Sequence, residues 1–385
     1  MNTMSFPKPA VSEAPARWLP AHVAAIATQE ISYAPVIGPE DIHPLLPGLD
    51  IWDMWPLAQP DGQTADCAGA TLWFALSAPQ LPDPLDRHGR ARIRLLAQRG
   101  TAWTDCGDLF PDNFAPGSRD WSGSAILEGD TVTLFFTAAG RAGEPRLTVE
   151  QRLFLTTGKL DLAGPRITGW TTPREIVTSD DDVYVRANQA EGAPGELKAF
   201  RDPGYFRDPA DGAEYVVFAA SYKPSLHACN GMAGIARADD AARTRWTLLP
   251  PLALADGVNN ELERPEIVHH AGLYYLFWST QTHVFQPGGP AGPSGLYGMV
   301  APSLFGPYQP LNGTGLVFAN PPDEPMQAYS WWVMGDLSVT SFVDYWGMKG
   351  RALKDHPELL RAQFGGVPAP FLHLALNGAT ATLVK

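Results

Sequence analysis

Short runs of hydrophobic residues, separated by tight polar turns, set the pattern of this chain from about residue 48 onward. In the first example, the cluster Trp52–Leu57 is followed by the turn Pro60-Asp61-Gly62 and then by a second apolar run over residues 70–76. Runs of this length, rich in aromatic residues and bounded by Gly, Pro and Asp, are typical of strands joined in a β-hairpin. The pattern therefore predicts an all-β fold.

The same unit recurs five times, although the fifth instance is weaker. Each unit begins at a polar or aromatic cluster. One residue of each cluster serves as the reference for the spacing of the units: Asp53, Ser122, Asp202, Glu263 and Ser330. Their numbers differ by 69, 80, 61 and 67. An irregular repeat of roughly 60–80 residues, each holding a hairpin, favours the blades of a β-propeller over a sandwich. We therefore predict a five-bladed β-propeller with a central, funnel-shaped active site.

Two regions are expected along the 385 residues. Residues 1–45 read as an N-terminal lead-in, which is rich in proline and holds one short amphipathic helix between residues 20 and 30. Residues 46–385 read as a single catalytic domain that contains all five predicted blades. A chain of this length is long enough to bury one large core.

Composition and charge narrow the classes of function. The 37 Gly and 37 Pro suit many short strands and turns, and the net charge of −13 disfavours a nucleic-acid partner. No apolar stretch approaches ~20 residues, so we expect no membrane span. Three cysteines are too few for a disulfide framework or a zinc site. No ordinary signal peptide is recognisable, so we expect a protein that is either secreted by another route or cytoplasmic. We also expect a monomer, because β-propellers are commonly monomeric.

The repeat has a chemical consequence. The innermost strand of each propeller blade starts near the central axis, so Asp53, Ser122, Asp202 and Glu263 are expected to be neighbours. Two carboxylates about 5–5.5 Å apart can cleave a glycosidic bond with retention, one as nucleophile and the other as general acid/base. The acid needs a raised pKa, which burial and a nearby negative charge provide. Trp52 and Trp121 would supply apolar walls for a sugar.

Four motifs occur in the chain that together resemble a known family. They are Trp52-Asp53-x-Trp55-Pro56-Leu57, Trp121-Ser122-Gly123-Ser124-Ala125, Phe200-Arg201-Asp202-Pro203 and Glu261-Leu262-Glu263-Arg264-Pro265. This set is similar to the levansucrase/β-fructofuranosidase family, glycoside hydrolase family 68. The segments 86–93 and 295–298 also resemble its Gram-negative members, and the likeness runs from about residue 48 to 345.

The resemblance implies a five-bladed enzyme that acts on sucrose through a covalent fructosyl-enzyme, releases glucose and passes the fructosyl group to water or sugar acceptors. Asp53 matches the nucleophile, Asp202 the transition-state stabiliser and Glu263 the general acid/base. Further residues are implied to bind substrate: Trp52, Trp121, Ser122, Arg201 and Glu261. Arg264 is added because its forked donors can orient carboxylates or bind sugar hydroxyls.

Two departures from the family pattern refine the expectation. Gln281 stands where relatives carry a histidine or arginine that binds the glucosyl or acceptor sugar, and its Trp278-Ser279-Thr280-Gln281 setting resembles β-fructofuranosidases that make short transfer products. We therefore expect short fructooligosaccharides. Asn260 stands where calcium-binding relatives carry an aspartate, so we expect no metal and no cofactor.

Several alternatives stay open at this point. A levansucrase making high-mass levan, a non-catalytic sugar-binding propeller, and another glycosidase on the same fold, such as an arabinan-cleaving or inulin-type enzyme, would share parts of the pattern. Asp208 competes with Asp202, because Arg207-Asp208-Pro209 repeats the tripeptide. Trp121 could be a core indole, and His88 could only brace a loop.

Overall fold

A computed structural model describes residues 14–187 and 197–384, and it is an all-β protein, as predicted. The helices α1 (Pro20–Ala25) and α2 (Leu359–Ala362) are short, and single 3-10 turns occur at Ile26–Thr28, Pro39–Asp41, Pro84–Gly89, Thr282–Val284, Leu311–Gly313 and Leu353–Asp355. Within the described ranges, no helix is long and apolar enough to span a membrane.

The strands follow one another in chain order. They are β1 (Ala16–Arg17), β2 (Leu49–Ala58), β3 (Thr71–Pro79), β4 (Arg92–Arg99), β5 (Ala102–Asp108), β6 (Arg119–Glu128), β7 (Thr131–Ala139), β8 (Gln151–Asp161), β9 (Arg166–Thr168), β10 (Arg174–Glu175), β11 (Phe200–Arg207), β12 (Glu214–Ser221), β13 (Gly231–Ala238), β14 (Trp246–Leu254), β15 (Glu263–His270), β16 (Leu273–Thr280), β17 (Gly295–Ala301), β18 (Gln309–Pro310), β19 (Leu316–Ala319), β20 (Ala328–Val333), β21 (Ser338–Tyr345), β22 (Phe364–Pro368), β23 (Leu372–Asn377) and β24 (Thr380–Leu383).

The strands pair in five antiparallel groups: β2–β5, β6–β10, β11–β14, β15–β19 and β20–β24. The first two groups share one sheet, because β2 and β6 pair in parallel where Leu57 lies opposite Ala125. Each group contains one of the predicted hairpins, so the turn and strand signals located these elements correctly.

The second strand of each group is almost wholly buried. Strands β3, β7, β12, β16 and β21 are buried along nearly their whole length. Neighbouring groups cover both faces, and a continuous apolar run such as Tyr215–Ala220 suits that position better than an alternating pattern. These strands supply much of the core.

The N-terminal segment is attached to the main body. Strand β1 pairs in parallel with β14, with Ala16 opposite Ala253, and Trp18 is buried against Trp278 and Tyr297. The short helix expected between residues 20 and 30 is present as α1 and the 3-10 turn that follows it. Residues 1–13 of the predicted lead-in lie outside the described residues, and the division at residue 45 stays a prediction.

The first strands of the five groups form a closed ring of contacts. Strand β2 contacts β6, β6 contacts β11, β11 contacts β15, β15 contacts β20, and β20 contacts β2. Each of them carries a register shift at or beside its reference residue. A β-bulge inserts an extra residue and redirects the side chains next to it, so the five bulges face one another around the ring.

The backbone at the bulges is strained in a consistent way. Four bulge residues have a positive φ: Asp53 (46°), Asp202 (63°), Arg264 (47°) and Ser330 (62°). In β6 the bulge is accommodated by Gly123 instead, where an added Cβ would lie 1.9 Å from the Phe135 carbonyl oxygen. Left-handed backbone at non-glycine residues costs energy and concentrates at functional sites. In the fourth unit the bulge residue is Arg264, so our reference residue Glu263 was one position early.

Candidate active site

Asp53 and Ser122 meet at the ring although 69 residues separate them in the chain. The Ser122 hydroxyl donates a hydrogen bond to Asp53 Oδ2 over 2.8 Å, and Ser122 itself is buried. The bulges in β2 and β6 create this contact, because they turn both side chains towards the axis. One carboxylate oxygen of Asp53 is thereby held in place, as a nucleophile requires.

A single guanidinium, that of Arg201, joins the other predicted carboxylates. Its Nη2 lies 2.5 Å from Glu263 Oε1 and 3.7 Å from Glu261 Oε1, and its Nε lies 3.5 Å from Asp202 Oδ2. Arg201 is buried, so these ion pairs are only weakly screened by water. Asp202 and Glu263, two of the four residues predicted to converge, therefore lie around one guanidinium, and Glu261 joins them.

Asp202 is fixed by its backbone as well as by its charge partners. Its N–H donates to Thr137 Oγ1 over 2.8 Å, and the Thr137 hydroxyl in turn donates to the Ser122 carbonyl oxygen over 3.1 Å. Burial raises the pKa of Asp202 to about 7, with the charges of Glu263 and Asp53 adding to the rise and Arg201 opposing it. Arg201 contacts both Asp202 and Glu263, so these two carboxylates share one guanidinium.

Asp208, the competing aspartate, lies elsewhere. It belongs to the turn between β11 and β12, where its N–H donates to the Ala213 carbonyl and its Oδ1 accepts a hydrogen bond from the Tyr274 hydroxyl over 2.6 Å. The repeated Arg-Asp-Pro tripeptide is thus a hairpin feature at its second occurrence. The structure groups Asp202, and not Asp208, with Arg201 and Glu263.

Glu263 has a second hydrogen-bond partner that our sequence analysis missed. The Tyr329 hydroxyl donates to Glu263 Oε2, while Arg201 occupies Oε1. Tyr329 directly precedes the bulge residue Ser330 of β20, just as Glu263 precedes Arg264 and Arg201 precedes Asp202. The equivalent positions of these three residues could have predicted a role for Tyr329. The equivalence was hidden because Glu263, and not the bulge residue Arg264, was taken as the reference residue of the fourth unit.

Glu261 completes the carboxylate group. Its N–H donates to Asn259 Oδ1 over 2.8 Å, which fixes the segment that leads into β15. Burial raises the pKa of Glu261 to about 8, and the nearby charge of Glu263 adds to this rise, whereas Arg201 opposes it. Raised pKa values on Asp202 and Glu261 mean that the cluster retains a proton near neutral pH.

Arg264 is a brace behind the carboxylates. It is 2% exposed, and it donates to the Ser330 carbonyl and hydroxyl oxygens and to the Met54 carbonyl oxygen over 2.7–3.0 Å. Its guanidinium also lies 5.0 Å from the centre of the Trp332 ring. These contacts tie the bulges of β2 and β20 to β15. The Nη1 and Nη2 donors of Arg264 reach protein acceptors in this structure, and the substrate-binding role expected of Arg264 stays a prediction.

The two predicted tryptophan walls differ in exposure. Trp52 is 1% exposed and packs under the Arg87 guanidinium and the edge of the His88 ring. It therefore presents almost no face to a sugar in this conformation, and its part in substrate binding stays a prediction. Trp121 is half-buried and lies beside the Arg119 guanidinium, at the border of the core.

Two histidines lie near the charged groups. Burial lowers the pKa of His88 well below its usual value, helped by the positive charges of Arg87, Arg201 and Arg119. Burial also lowers the pKa of His283, and the charge of Glu263 opposes that shift. His283 lies in the 3-10 turn just after Gln281, which is half-buried at the end of β16. Sequence analysis gave no role to His283.

The surroundings of Asn260 bear on the expectation of no metal. Among residues 14–187 and 197–384, no group of three or more His, Cys, Asp or Glu side chains is arranged to hold a metal ion. The Asn260 side-chain oxygen accepts a hydrogen bond from the Lys198 ammonium over 2.9 Å. The expectation of a metal-free enzyme stays a prediction.

Carboxylates grouped in this way are the side chains that a glycoside-cleaving enzyme requires. Comparison with known proteins agrees: the sequence profile described as Levansucrase/Invertase matches residues 9–225 and 223–384. The chain belongs to this family, glycoside hydrolase family 68, and it is an enzyme of the fructosyltransferase/β-fructofuranosidase class.

Individual relatives cover most of the chain. A levansucrase of Zymomonas mobilis is 33% identical over 357 residues, which cover 85% of this chain and 80% of that protein. Levansucrase LscA of Pseudomonas savastanoi pv. glycinea is 32% identical, with 89% and 88% covered. Among solved structures, an inulosucrase from Halalkalicoccus jeotgali bound to kestose superimposes with a TM-score of 0.89, 38% identity and coverage of 96% and 95%.

Proposed function

We propose that the protein acts on sucrose by a retaining double displacement, releases glucose, and transfers the fructosyl group to water or to sugar acceptors as short fructooligosaccharides. The observation that carries this proposal is the arrangement around Arg201, whose guanidinium reaches Asp202, Glu261 and Glu263 within 2.5–3.7 Å. The names of the relatives, levansucrases and an inulosucrase, support the choice of sucrose and fructosyl transfer.

We further infer that the five antiparallel groups are the five blades of a propeller. The closed ring of contacts among β2, β6, β11, β15 and β20 supports this, because such a ring is what five innermost strands around one axis would make. The active site then lies at the end of the axis where the five bulges meet.

In this mechanism Asp53 attacks C2 of the fructosyl unit. Its carboxylate oxygen forms a bond to C2 while the bond between C2 and the bridging oxygen breaks, which gives a covalent fructosyl-enzyme and glucose. The hydrogen bond from Ser122 orients Asp53 Oδ2, so the other oxygen is free to attack. The positive φ of Asp53 adds to this fixed orientation.

Glu263 then serves as general acid and base. It gives a proton to the bridging oxygen as glucose leaves, and it takes a proton from water or from an acceptor hydroxyl in the second step. The raised pKa values of Asp202 and Glu261 support a supply of protons beside it near neutral pH. Tyr329 and Arg201 hold its two oxygens and so fix the direction of transfer.

Asp202 would accept hydrogen bonds from fructosyl hydroxyls, and these bonds strengthen as the ring becomes cation-like. The Thr137 contact supports this role, because it holds the backbone of Asp202 in its strained conformation. Arg201 would balance the negative charge that remains when both Asp202 and Glu263 are ionised.

A second product type has specific support. The levansucrase relatives favour a polymer of high mass, whereas the neutral Gln281 favours short products. We retain short transfer as the proposal, because an uncharged amide at the acceptor side gives a growing chain fewer charge-assisted hydrogen bonds. We propose further that the enzyme works as a metal-free monomer without a membrane or nucleic-acid partner; its location, either cytoplasmic or outside the cell by a non-classical route, stays a prediction.

A product assay tests the proposal. Purified protein is incubated with concentrated sucrose, free glucose and free fructose are quantified separately, and oligosaccharides are sized. We expect more free glucose than free fructose, short oligosaccharides, and no turnover by Asp53→Ala, with the hairpin variant Asp208→Ala as matched control. Equal glucose and fructose would indicate plain hydrolysis, high-mass fructan would favour a levansucrase, and no glucose would reject sucrose as the substrate.

A further inference from the structure

The Lys198 ammonium contacts three oxygens within the described part of the chain. Its Nζ is 2.5 Å from the Ala228 carbonyl oxygen, 2.7 Å from Asn230 Oδ1 and 2.9 Å from Asn260 Oδ1. An ammonium has three donors, so each of them can be matched by one of these acceptors. The oxygens come from the loop between β12 and β13 and from the segment before β15, and the lysine itself precedes β11. One cation therefore joins three separate stretches of chain.

Asn260 transmits this contact to the catalytic carboxylates. It is fully buried, its N–H donates to the Val284 carbonyl, and its Nδ2 donates to the Leu197 carbonyl, each over 2.9 Å. Gly231 packs so closely that an added Cβ would lie 2.8 Å from the Asn260 carbonyl carbon. Asn260 therefore has little freedom to move, and the next residue in the chain is Glu261.

The main chain of Lys198 supports the other side of the same cluster. Its carbonyl oxygen accepts a hydrogen bond from Gln151 Nε2 over 2.9 Å. Gln151 Oε1 in turn accepts from the Phe200 N–H over 3.0 Å and from Arg201 Nη1 over 3.4 Å. Lys198 is thus linked to the Arg201 guanidinium through Gln151. On the other side it is linked through Asn260 to the segment that carries Glu261.

We propose that Lys198 is a positioning residue that acts as a built-in cation: its ammonium fixes Asn260, and through it Glu261 and Glu263, at the distances from Arg201 that the reaction needs. The oxygens of Ala228, Asn230 and Asn260 then form a cation site that a small alkylammonium ion can enter once the lysine side chain has been shortened. This inference rests on the proposed function for its activity readout, but the cation site can also be tested without it.

Electrostatics gives the proposal a readout that packing alone would not provide. Glu261 is surrounded by Glu263, Asp202, Arg201 and Lys198, and the positive charge of Lys198 lowers its otherwise raised pKa. Removing that charge raises the pKa of Glu261 further. A limb of the pH–activity profile that reports this group should therefore move to higher pH, whichever protonation state is the active one.

The test compares Lys198→Ala with Lys223→Met, which removes the exposed lysine paired with Asp181. We expect Lys198→Ala to lower kcat on sucrose at least about tenfold with little change in KM, and to move the pH profile upward. Added n-propylammonium, which supplies the missing methylenes and ammonium, should restore part of kcat and shift the profile back. 1-Propanol, which has the same shape but no charge, should neither restore kcat nor shift the profile. The control Lys223→Met should behave as the wild type does.

An unchanged kcat and pH profile in Lys198→Ala would overturn the proposal, even if the unfolding temperature fell. Equal rescue by 1-propanol would overturn it too, because the site would then respond to volume rather than to charge. If the wild type releases no glucose from sucrose, the proposed function fails. The cation site is then tested by the unfolding temperature of Lys198→Ala, measured with each of the two additives. A rise with n-propylammonium alone supports that site, and an equal response to both additives rejects it.

Discussion

The Tyr329 hydroxyl donates a hydrogen bond to Glu263, although the two residues lie 66 positions apart on the first strands of neighbouring groups. Each residue directly precedes the bulge of its strand, and the contact closes the carboxylate cluster on the side opposite Arg201. The position of the proposed acid/base thus depends on both partners.

Tyr329→Phe should lower kcat/KM on sucrose roughly 10- to 150-fold, because a hydrogen bond to a charged group contributes about 1.5–3 kcal/mol. Steady-state kinetics checks this value. Tyr274→Phe is the matched control, since it also removes a hydroxyl from a carboxylate, that of Asp208, but in a hairpin outside the site. Equal losses in the two variants would contradict the role given to Tyr329.

Thr137→Val should lower both activity and stability. Valine keeps the shape of threonine but leaves the buried N–H of Asp202 without its acceptor, at a cost of about 1–3 kcal/mol in the free energy of unfolding. Thr137→Ser retains the hydroxyl and should stay close to the wild type. Denaturant titration and sucrose kinetics of the two variants measure the effect, and a serine variant as impaired as the valine variant would show that the methyl group matters instead.

Arg264→Met should destabilise the protein by about 1–3 kcal/mol for each acceptor that it leaves without a donor. The Met54 and Ser330 carbonyls would lose their partners, and the bulges of β2 and β20 would no longer be tied to β15. The free energy of unfolding measures this loss. If Arg264→Lys raised KM for sucrose at unchanged stability, Arg264 would be a substrate-binding residue after all.

Stability should fall as pH rises through the neutral range. Burial raises the pKa of Asp202 to about 7 and that of Glu261 to about 8, whereas the unfolded chain titrates these carboxyls near pH 4. Between about pH 4 and pH 8 the folded state therefore binds more protons than the unfolded state, so the free energy of unfolding decreases with pH. Urea titrations at pH 5 and pH 8 should show a smaller decrease for Asp202→Asn/Glu261→Gln, and an identical decrease would contradict this assignment.

Much of the site was predictable because its key residues lie in local motifs. The hairpins followed from apolar runs and turn residues, and the clusters at Asp53, Ser122 and Asp202 are joined by hydrogen bonds, directly or through Thr137. The resemblance to family 68 then supplied roles that spacing alone leaves open.

The remainder depends on contacts between distant segments. Nothing next to Arg264 in the sequence indicates that it would donate to a carbonyl 210 residues away, and nothing near Lys198 indicates its contact with Asn260. Trp52 was expected to stack on a sugar, but it is buried under Arg87, which also lies over Phe364, and these three residues come from segments far apart in the chain. The one-residue shift at Glu263 arose because a bulge changes register without leaving a mark in the residue pattern.

The most direct test of the central claim is the mass of the enzyme during turnover. Protein mixed with sucrose is quenched in acid after a short delay, digested, and measured by mass spectrometry. Fructosyl transfer through Asp53 predicts that the peptide containing Asp53 gains the mass of one fructosyl unit, and that Asp53→Ala gains none. Continued glucose release with no modified peptide, or with the added mass on another residue, would contradict it.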